Sequence, residues 1–328
     1  MQSYWMLMTD RDTVVERREV ARPAPGPGQV LVRMRAAALN RGEFLLGHGL
    51  HGAPGTWKAI GGEGAGEVVA LGDGVTSPRL GDRVMGRCAG AFAEYAVMEA
   101  AEAMAMPPSL AFEDAAAIPL TFLVAYDMLV LQGRLAAGEW LLVNGVSSGV
   151  GVASLQLGKV LGARVIGTSG TPEKLRALAP LGLDIALHTR QADFAGAVLA
   201  ATGGHGADLI VNAVGGSVFA ENLRALAFEG RLATVGYVDG VVHADIDLET
   251  VHARRLTIFG VSNKLRSKAQ RASAVPRFVA EIVPHVAAGT LRPVIDRVVD
   301  FGELATAKTL MESGAHVGKI VLRMPSAH

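Results

Sequence analysis

The pattern of apolar and polar positions divides the chain into a β-rich first part and a later part in which strands and helices alternate. Before Phe112 the apolar runs have strand length and no helix-period segment of useful length occurs. These early strand predictions are Gln29–Ala38, Glu67–Leu71, Arg83–Met85 and Ala91–Val97. Later strand predictions are Trp140–Val143, Ala163–Thr168, Ile185–His188, Leu209–Val214, Leu232–Val235 and Leu256–Phe259. The helix predictions between them are Val152–Leu161, Phe194–Ala201 and Phe219–Phe228. This alternation predicts a parallel, doubly wound α/β sheet that binds its ligand at the carboxyl ends of the strands.

The end of the chain returns to a helix and two closing strands. The helix prediction covers Ala272–Ala288, and the closing strands lie around Val294–Val299 and Ile320–Arg323.

A turn rich in glycine and serine, Asn144–Gly151, joins the first strand of the alternating part to its helix. Glycine lets a phosphate approach the main chain closely, and the N–H groups that open a helix attract its negative charge. We therefore predict pyrophosphate contacts at four consecutive residues of this turn, Ser147, Ser148, Gly149 and Val150. As a bare G-x-G-x-x-G pattern the match is poor, because Val146 and Ser148 occupy the first two glycine positions. On the turn alone, an unrelated α/β protein with a Gly-rich turn stays open.

Composition narrows the class of protein. The chain has 328 residues, of which 50% are hydrophobic, so two domains with substantial cores are expected. Its 31 basic and 31 acidic residues balance, and no basic stripe indicates a nucleic-acid partner. The uncharged stretch Leu141–Gly158 is too rich in glycine, serine and amide side chains for a membrane span. Cys88, the only cysteine, cannot form an intrachain disulfide, which favours a reducing, cytoplasmic location.

Gly138–Lys159 resembles the signature of the zinc-independent quinone oxidoreductase branch of the medium-chain dehydrogenase/reductase superfamily. The matching positions are Gly138, Glu139, Leu142, Ser147, Gly149, Gly151, Gln156 and Lys159. Gly61–Gly72, followed by Gly81–Val84, resembles the GroES-like substrate domain of that superfamily. The resemblance implies a discontinuous GroES-like domain at 1–122 and 261–328, a Rossmann nucleotide domain at 123–260, and a homodimer. For the dimer, Leu232–Val235, Val241–Ile246 and Leu256–Phe259 supply apolar strand material at a sheet edge.

The resemblance also bears on zinc. Zinc-dependent members have an early Cys, a His before a Glu, and a four-cysteine lobe. In this chain Asn40 stands at the Cys position, Gly62 stands at the His position before Glu63, and Cys88 is alone. We therefore expect no metal.

The residues past the second strand favour NADPH over NADH. An NAD site normally has Asp or Glu there to bind the ribose 2′-OH, whereas this chain has Thr168 and Ser169. Lys174 and Arg190 are the nearest cations, and the resemblance implies that the matching Ser and Lys hold the 2′-phosphate. Further cofactor contacts are predicted at the exits of the later strands, at Val214, Gly236 and Val261.

Hydride transfer without a metal suits an acceptor that spreads the developing negative charge itself, such as a quinone or an α,β-unsaturated carbonyl. The resemblance places Thr121 beside the nicotinamide, Asn40 as a polar contact to substrate or nicotinamide, and His51 and Leu45 where relatives have tyrosines. His51 is the candidate proton donor, although a solvated loop histidine is the alternative. Two further functions stay open: an NADPH-binding protein with little turnover, and a zinc-independent alcohol or carbonyl reductase.

Overall fold

A computed structural model of the chain describes residues 1–9, 13–44 and 55–325. It divides into two compact units, one formed by Met1–Leu123 with Asn263–His328 and the other by Val124–Ser262. Across the described ranges, none of the helices has both the length and the apolar character that a bilayer span requires.

The strands in chain order are β1 Gln2–Met8, β2 Thr13–Glu19, β3 Gln29–Ala38, β4 Trp57–Ala59, β5 Glu63–Leu71, β6 Arg83–Ala89, β7 Tyr95–Ala105, β8 Trp140–Asn144, β9 Arg164–Ser169, β10 Ile185–His188, β11 Ala207–Asn212, β12 Leu226–Thr234, β13 Thr257–Gly260, β14 Ile295–Asp300 and β15 Lys319–Arg323. The α-helices are α1 Phe112–Ala116, α2 Pro119–Tyr126, α3 Gly149–Val160, α4 Pro172–Leu178, α5 Ala195–Ala201, α6 Phe219–Ala225, α7 Leu248–Ala253, α8 Lys268–Ala272, α9 Val275–Glu281, α10 Val283–Ala287 and α11 Leu304–Ser313. A short 3₁₀ turn covers Arg41–Glu43.

The first unit is a curled, mostly antiparallel sheet with the order β14-β15-β3-β5-β6-β7. β3 pairs with β7 as well as with β5. The four strands β3, β5, β6 and β7 therefore form a closed ring of pairings. Alternate residues of β3 point into a core with Val30, Val32 and Met34 that also receives Leu322 of β15. A smaller sheet has the order β2-β1-β4.

The second unit is a parallel sheet with the order β10-β9-β8-β11-β12-β13. Counted from β8, this is the order 3-2-1-4-5-6 of a Rossmann fold, and the chain reverses direction across the sheet at β8. β8 is buried over its whole length, as expected for a central parallel strand. The sequence-based prediction of a GroES-like β-rich domain plus a doubly wound Rossmann domain is therefore confirmed.

Four element predictions are wrong in whole or in part. The strand predicted at Ala91–Val97 begins only at Tyr95. The helix predicted at Phe219–Phe228 ends at Ala225, because Leu226 is extended and begins β12, where it pairs with Ala207 of β11. Ala272–Ala288 is split into short helices, since Pro284 lacks an N–H and its ring clashes with a continuing helix. Val241–Ile246 forms no strand, because Asp239 and Gly216 hold Val241 by hydrogen bonds in an irregular loop.

Candidate active site

The glycine-rich turn lies at the carboxyl edge of the parallel sheet, between β8 and α3. Ser148 is the N-cap of α3, since its hydroxyl oxygen accepts a hydrogen bond from the N–H of Gly151 at 3.0 Å. The first bond within the helix runs from the N–H of Val152 to the carbonyl of Ser148. In the described part of the chain this leaves the N–H groups of Gly149 and Val150 at the opening of α3 for an anionic ligand.

Gly151 is required by the fold of the turn itself. A Cβ on this residue would lie 2.4 Å from the carbonyl oxygen of Gly145 and 2.7 Å from that of Val146. The sequence pattern favours close approach by a phosphate at Gly151, whereas the contacts assign this glycine to close packing of α3 against the turn. That is the role of the third glycine in a dinucleotide-binding turn.

The end of β9 brings together the residues predicted to recognise the ribose. The Thr168 hydroxyl accepts from the N–H of Gly145 at 3.3 Å and donates to Asn144 at 3.1 Å, so it already serves the turn. The Ser169 oxygen accepts from the N–H of Thr171 at 3.3 Å, and its hydroxyl hydrogen has no acceptor among the described residues. Of the Thr168 and Ser169 hydroxyls, it is therefore that of Ser169 that is able to donate to a phosphate.

Arg190 crosses the end of β9 from the loop after β10. Its Nε donates to the carbonyl of Gly170 at 2.9 Å, and a Cβ on Gly170 would lie 2.5 Å from the Arg190 Cγ. Gly170 thus makes room for this side chain beside Ser169. Lys174 lies one turn into α4, the helix that follows. The carboxylate nearest along the chain, Glu173, pairs with Arg176 on the same exposed face.

The remaining predicted cofactor residues lie at the exits of β11, β12 and β13. The N–H of Val214 donates to the Asn212 side chain at 3.0 Å, and the N–H of Val261 donates to the carbonyl of Thr234 at 3.0 Å. Gly236 follows β12, and a Cβ on this residue would lie 3.2 Å from the carbonyl oxygen of Ala213. All the predicted cofactor residues therefore follow the carboxyl ends of strands in one sheet, where parallel α/β folds bind nucleotides.

A buried ion pair organises the first unit. The Glu63 carboxylate is 0% exposed, and it accepts from Lys319 Nζ at 2.8 Å, from Asn40 Nδ2 at 3.0 Å and from the N–H of Leu120 at 2.7 Å. Lys319 Nζ also donates to the Asn40 side-chain oxygen at 2.6 Å and to the carbonyl of Leu39 at 2.8 Å. Both ends of the Asn40 amide are therefore bound within the protein, and its predicted contact with substrate or nicotinamide stays a prediction.

Glu43 is a functional candidate that the sequence reasoning missed. Burial raises the pKa of its carboxyl to about 7, a rise that Glu63 reinforces and Lys319 opposes. A Cβ on Gly62 would lie 2.7 Å from Glu43 Oε1, so the missing side chain at position 62 leaves space for this carboxyl. An acid with a pKa near 7 holds a proton that it can also release at neutral pH, which suits proton transfer.

Glu43 lines a cavity of about 520 Å³ that lies within the first unit. The walls combine apolar surface with a set of charged side chains: Glu43, Lys58, Arg87, Glu99, Glu102, Lys268 and Arg271. Cys88 also borders the cavity, and burial together with nearby carboxylates raises the pKa of its thiol, so it stays protonated. Such a space has the size of a small-molecule site.

Thr121 lies in α2, next to the residue whose N–H binds Glu63. Its side chain is 3% exposed, and its hydroxyl donates to the carbonyl of Ala117 at 3.1 Å. His51 and Leu45 lie outside the described residues. Glu43 and Lys319 could not be recognised as site residues from local pattern, because neither belongs to a motif and Lys319 is 256 residues from Glu63.

No group of three or more metal-ligating side chains lies together within 1–9, 13–44 and 55–325. The side chains around position 62 form hydrogen bonds and an ion pair, with Lys319 donating to Glu63 and Asn40. The absence of zinc stays a prediction.

Two family models match the chain. The alcohol dehydrogenase GroES-like domain matches residues 26–108, and the zinc-binding dehydrogenase family matches residues 149–278. The second match lies outside the positions of Asn40 and Gly62. A phenolphthiocerol/phthiocerol polyketide synthase of Mycobacterium tuberculosis is 33% identical over 308 residues, which is 94% of this chain. The chain spans only 14% of the length of that relative.

Solved structures are similar over nearly the whole chain. An NAD-dependent alcohol dehydrogenase is 32% identical with a TM-score of 0.85, covering 99% of this chain and 100% of that one. Mycobacterial Rv1454c complexed with NADPH is 27% identical with a TM-score of 0.89, covering 98% and 100%. The quinone oxidoreductase of Pseudomonas syringae pv. Tomato is 29% identical with a TM-score of 0.85, covering 98% and 100%. The CurK enoyl reductase is 26% identical with a TM-score of 0.84, covering 99% and 100%.

These matches establish the class of protein. The chain belongs to the medium-chain dehydrogenase/reductase superfamily. It is an oxidoreductase whose fold combines a GroES-like unit with a Rossmann unit. The similarity to the Pseudomonas quinone oxidoreductase confirms the resemblance seen in Gly138–Lys159.

Proposed function

We propose that this protein is an NADPH-dependent oxidoreductase that transfers a hydride to a quinone or to the β-carbon of an α,β-unsaturated carbonyl without a metal. The observation that carries the proposal is the Glu43 carboxyl beside Gly62. The resemblance implies a histidine ligand at position 62 in zinc-dependent members, and in this chain the Glu43 carboxyl lies against Gly62 instead. Both acceptor types spread the negative charge that arrives with the hydride, so a weak acid suffices to complete the reduction.

The nucleotide unit supports NADPH as the cofactor. When bound, NADPH supplies the hydride. The N–H groups of Gly149 and Val150 would hold its pyrophosphate, with Ser147 and Ser148 shaping the turn. Ser169, Lys174 and Arg190 would bind the 2′-phosphate, and no carboxylate occupies the end of β9 to repel it. Thr168, Val214, Gly236 and Val261 are proposed to line the rest of the site.

Glu43 is proposed as the proton donor to the reduced substrate. Its protonated form is neutral and borders the cavity, and Asn40 contacts both of its oxygens at 3.4 Å. Asn40 itself is fixed by Glu63 and Lys319, which makes it a positioning residue for Glu43. Thr121 remains the proposed neighbour of the nicotinamide, and His51 an alternative acid.

The function is tested by following NADPH oxidation at 340 nm with a small quinone and with a simple enone. We expect turnover of at least one of them, with the same rate in the presence of a chelator, because no ligand set for zinc is present in the described residues. Loss of activity on chelation, restored by zinc, would refute the metal-free mechanism. NADPH binding without turnover of any quinone, enone or simple ketone would favour a binding protein with little turnover. Turnover of a simple ketone alone would favour the carbonyl reductase.

The preference for NADPH gives a prediction of its own. Lys174→Ala should raise the KM for NADPH about ten- to a hundredfold and leave the KM for NADH nearly unchanged, because NADH has no 2′-phosphate. Ser169→Asp should swing the preference toward NADH, since it adds repulsion to the phosphate and an acceptor for the ribose 2′-OH.

Arg176→Ala is the matched control for Lys174→Ala. Arg176 lies on the same helix, α4, but pairs with Glu173 on an exposed face, so neither KM should change. Equal kinetics of the wild type with both cofactors would contradict the NADPH assignment.

A homodimer remains part of the proposal. β13 is the outer strand of the parallel sheet, and Ile258 on β13 and Phe228 on the neighbouring β12 are exposed. An exposed apolar sheet edge favours pairing with a second copy. Light scattering at micromolar concentration tests this, and a monomer would contradict it.

A further inference from the structure

We propose that the cavity of the first unit binds an anionic group of the substrate, a carboxylate or a phosphate, through the guanidinium of Arg87. This inference rests on the proposed function, because it assigns a charge class to the hydride acceptor. Arg87 lies on β6 and borders the same cavity of about 520 Å³ as Glu43. An acceptor that carries both a conjugated carbonyl and an anionic group would meet an acid and a guanidinium in one space.

Arg87 has unused hydrogen-bond donors. Its nearest charged partner is Glu102, and Arg87 Nε lies 3.6 Å from Glu102 Oε2, too far for a hydrogen bond. Its guanidinium makes no hydrogen bond to any other residue in the described ranges. The side chain is only 21% exposed, so most of it has lost water without gaining a hydrogen-bond acceptor in the described part of the protein. A guanidinium in this condition binds a planar, two-oxygen anion well, because its paired N–H groups match both oxygens.

The carboxylates near Arg87 already bind other residues. Glu102 is 3% exposed, and its Oε1 already accepts from Arg271 Nε at 3.3 Å. Glu99 is taken by Lys268 at 2.7 Å and by Gln29 at 2.8 Å. Three cations on β6 and α8 therefore face two carboxylates on β7.

The pKa of Arg87 is lowered mainly by burial. Arg271 and Arg266 lower it further, whereas Glu102 and Glu63 raise it. Arginine stays protonated even so.

A pair of arginines elsewhere in the first unit binds its carboxylate directly and lies away from the cavity. Arg33 and Arg35 share Glu67, and both form hydrogen bonds to it, Arg35 at 3.0 Å. Neither borders the cavity. Arg87 differs from both arginines in two respects: it makes no hydrogen bond to a carboxylate among the described residues, and it borders a cavity.

The experiment compares two acceptors that differ in charge and by one methyl group, (E)-6-oxohept-4-enoic acid and its methyl ester, with NADPH as the reductant. For the wild type we expect kcat/KM to be about ten- to a hundredfold higher for the acid. In Arg87→Gln this ratio should fall close to one, and Arg87→Lys should keep part of it, because Lys retains the charge but not the paired geometry. Arg35→Gln is the matched control and should keep the wild-type ratio.

A second arm measures binding without turnover. Calorimetric titration with sodium glutarate and, separately, with inorganic phosphate is done in saturating NADP⁺, so that the nucleotide site is already filled. Binding of either anion should weaken about tenfold or more in Arg87→Gln. Tighter binding of glutarate than of phosphate would identify the carboxylate as the preferred group, and the reverse order would identify the phosphate.

The outcomes separate this inference from the proposed function. Arg87-dependent anion binding with no reduction of either enone supports the anion site and removes the proposed reaction. Reduction of the ester and acid at equal efficiency, with no Arg87-dependent binding, supports the reaction and overturns the anion site. If Arg87→Gln does not fold, the wild-type acid-to-ester ratio decides, because a ratio near one at low ionic strength overturns the anion site.

Discussion

Lys319→Met is expected to lower the free energy of unfolding by about 3–5 kcal/mol, because it leaves the Glu63 carboxylate buried without its cation. The pair is almost fully enclosed, with side-chain exposures of 5% and 0%. Asn40 and the N–H of Leu120 would remain as neutral donors to Glu63. The measurement is the midpoint of denaturant unfolding at neutral pH, followed by a probe in the first unit.

Arg323→Met is the control for this prediction. Arg323 lies on the same strand, β15, and pairs with Glu113 at 2.9 Å, but its side chain is 55% exposed. Pairs at the surface contribute about 0–1 kcal/mol, so this variant should change the midpoint little. The double variant Lys319→Met/Glu63→Met should recover most of the loss, because it removes both charges. Equal losses from Lys319→Met and Arg323→Met would show that the buried pair has no special weight.

Glu43→Gln is expected to lower kcat by about a hundredfold or more, because glutamine has no proton to give to the reduced substrate. In the wild type, the protonated form of Glu43 exists below its pKa of about 7. The value of kcat should therefore be highest below pH 7 and fall about tenfold for each pH unit above it. The measurement is kcat for the enone from pH 5.5 to 9 with saturating NADPH.

Two variants control the Glu43 prediction. Glu43→Asp keeps a carboxylic acid and should keep a pH-dependent kcat, whereas Glu43→Gln should lose the fall above pH 7. Glu113→Gln removes an acid that does not border the cavity and should leave the profile as in the wild type. A pH profile that is the same in wild type and Glu43→Gln would assign the proton to solvent or to another group.

The same pKa affects stability. Because the pKa of Glu43 in the fold, about 7, is above its ordinary value of 4.5, the folded chain holds this proton more tightly than the unfolded chain does. The resulting stabilisation is complete below pH 4.5 and is lost as the pH rises to about 7. In Glu43→Gln this part of the pH dependence of unfolding should disappear.

The fold was predictable where local pattern and tertiary structure agree. The buried parallel strands have mostly apolar centres, so β8, β9 and β11 were located to within two residues at either end. The Val241–Ile246 run alternates like a strand, yet Asp239 binds Val241 and fixes a loop instead. The pattern of apolar and polar residues indicates which side chains prefer to be buried. It does not indicate that a carboxylate will bind the backbone N–H two residues later in the chain.

The nucleotide site was easier to predict than the cavity. The proposed nucleotide contacts follow strand ends, so their positions follow from the order of elements along the chain. The cavity depends on residues far apart in sequence, such as Glu63 with Lys319 and Arg87 with Arg271. Only the fold brings these together, and whether Glu43 or Arg87 has a partner depends on burial that no local motif encodes.

Gly62 limits which single substitutions could introduce a metal ligand at this position. Any side chain placed at position 62 must first displace the Glu43 carboxyl, whose Oε1 lies 2.7 Å from where a Cβ would stand. Gly62→His alone would thus shift the proposed acid from its place without supplying a working metal centre. Asn40→Cys alone would add one sulfur ligand and remove an amide that binds Glu63 and Lys319. Because each single step loses something before the set is complete, the effects of the substitutions are strongly non-additive.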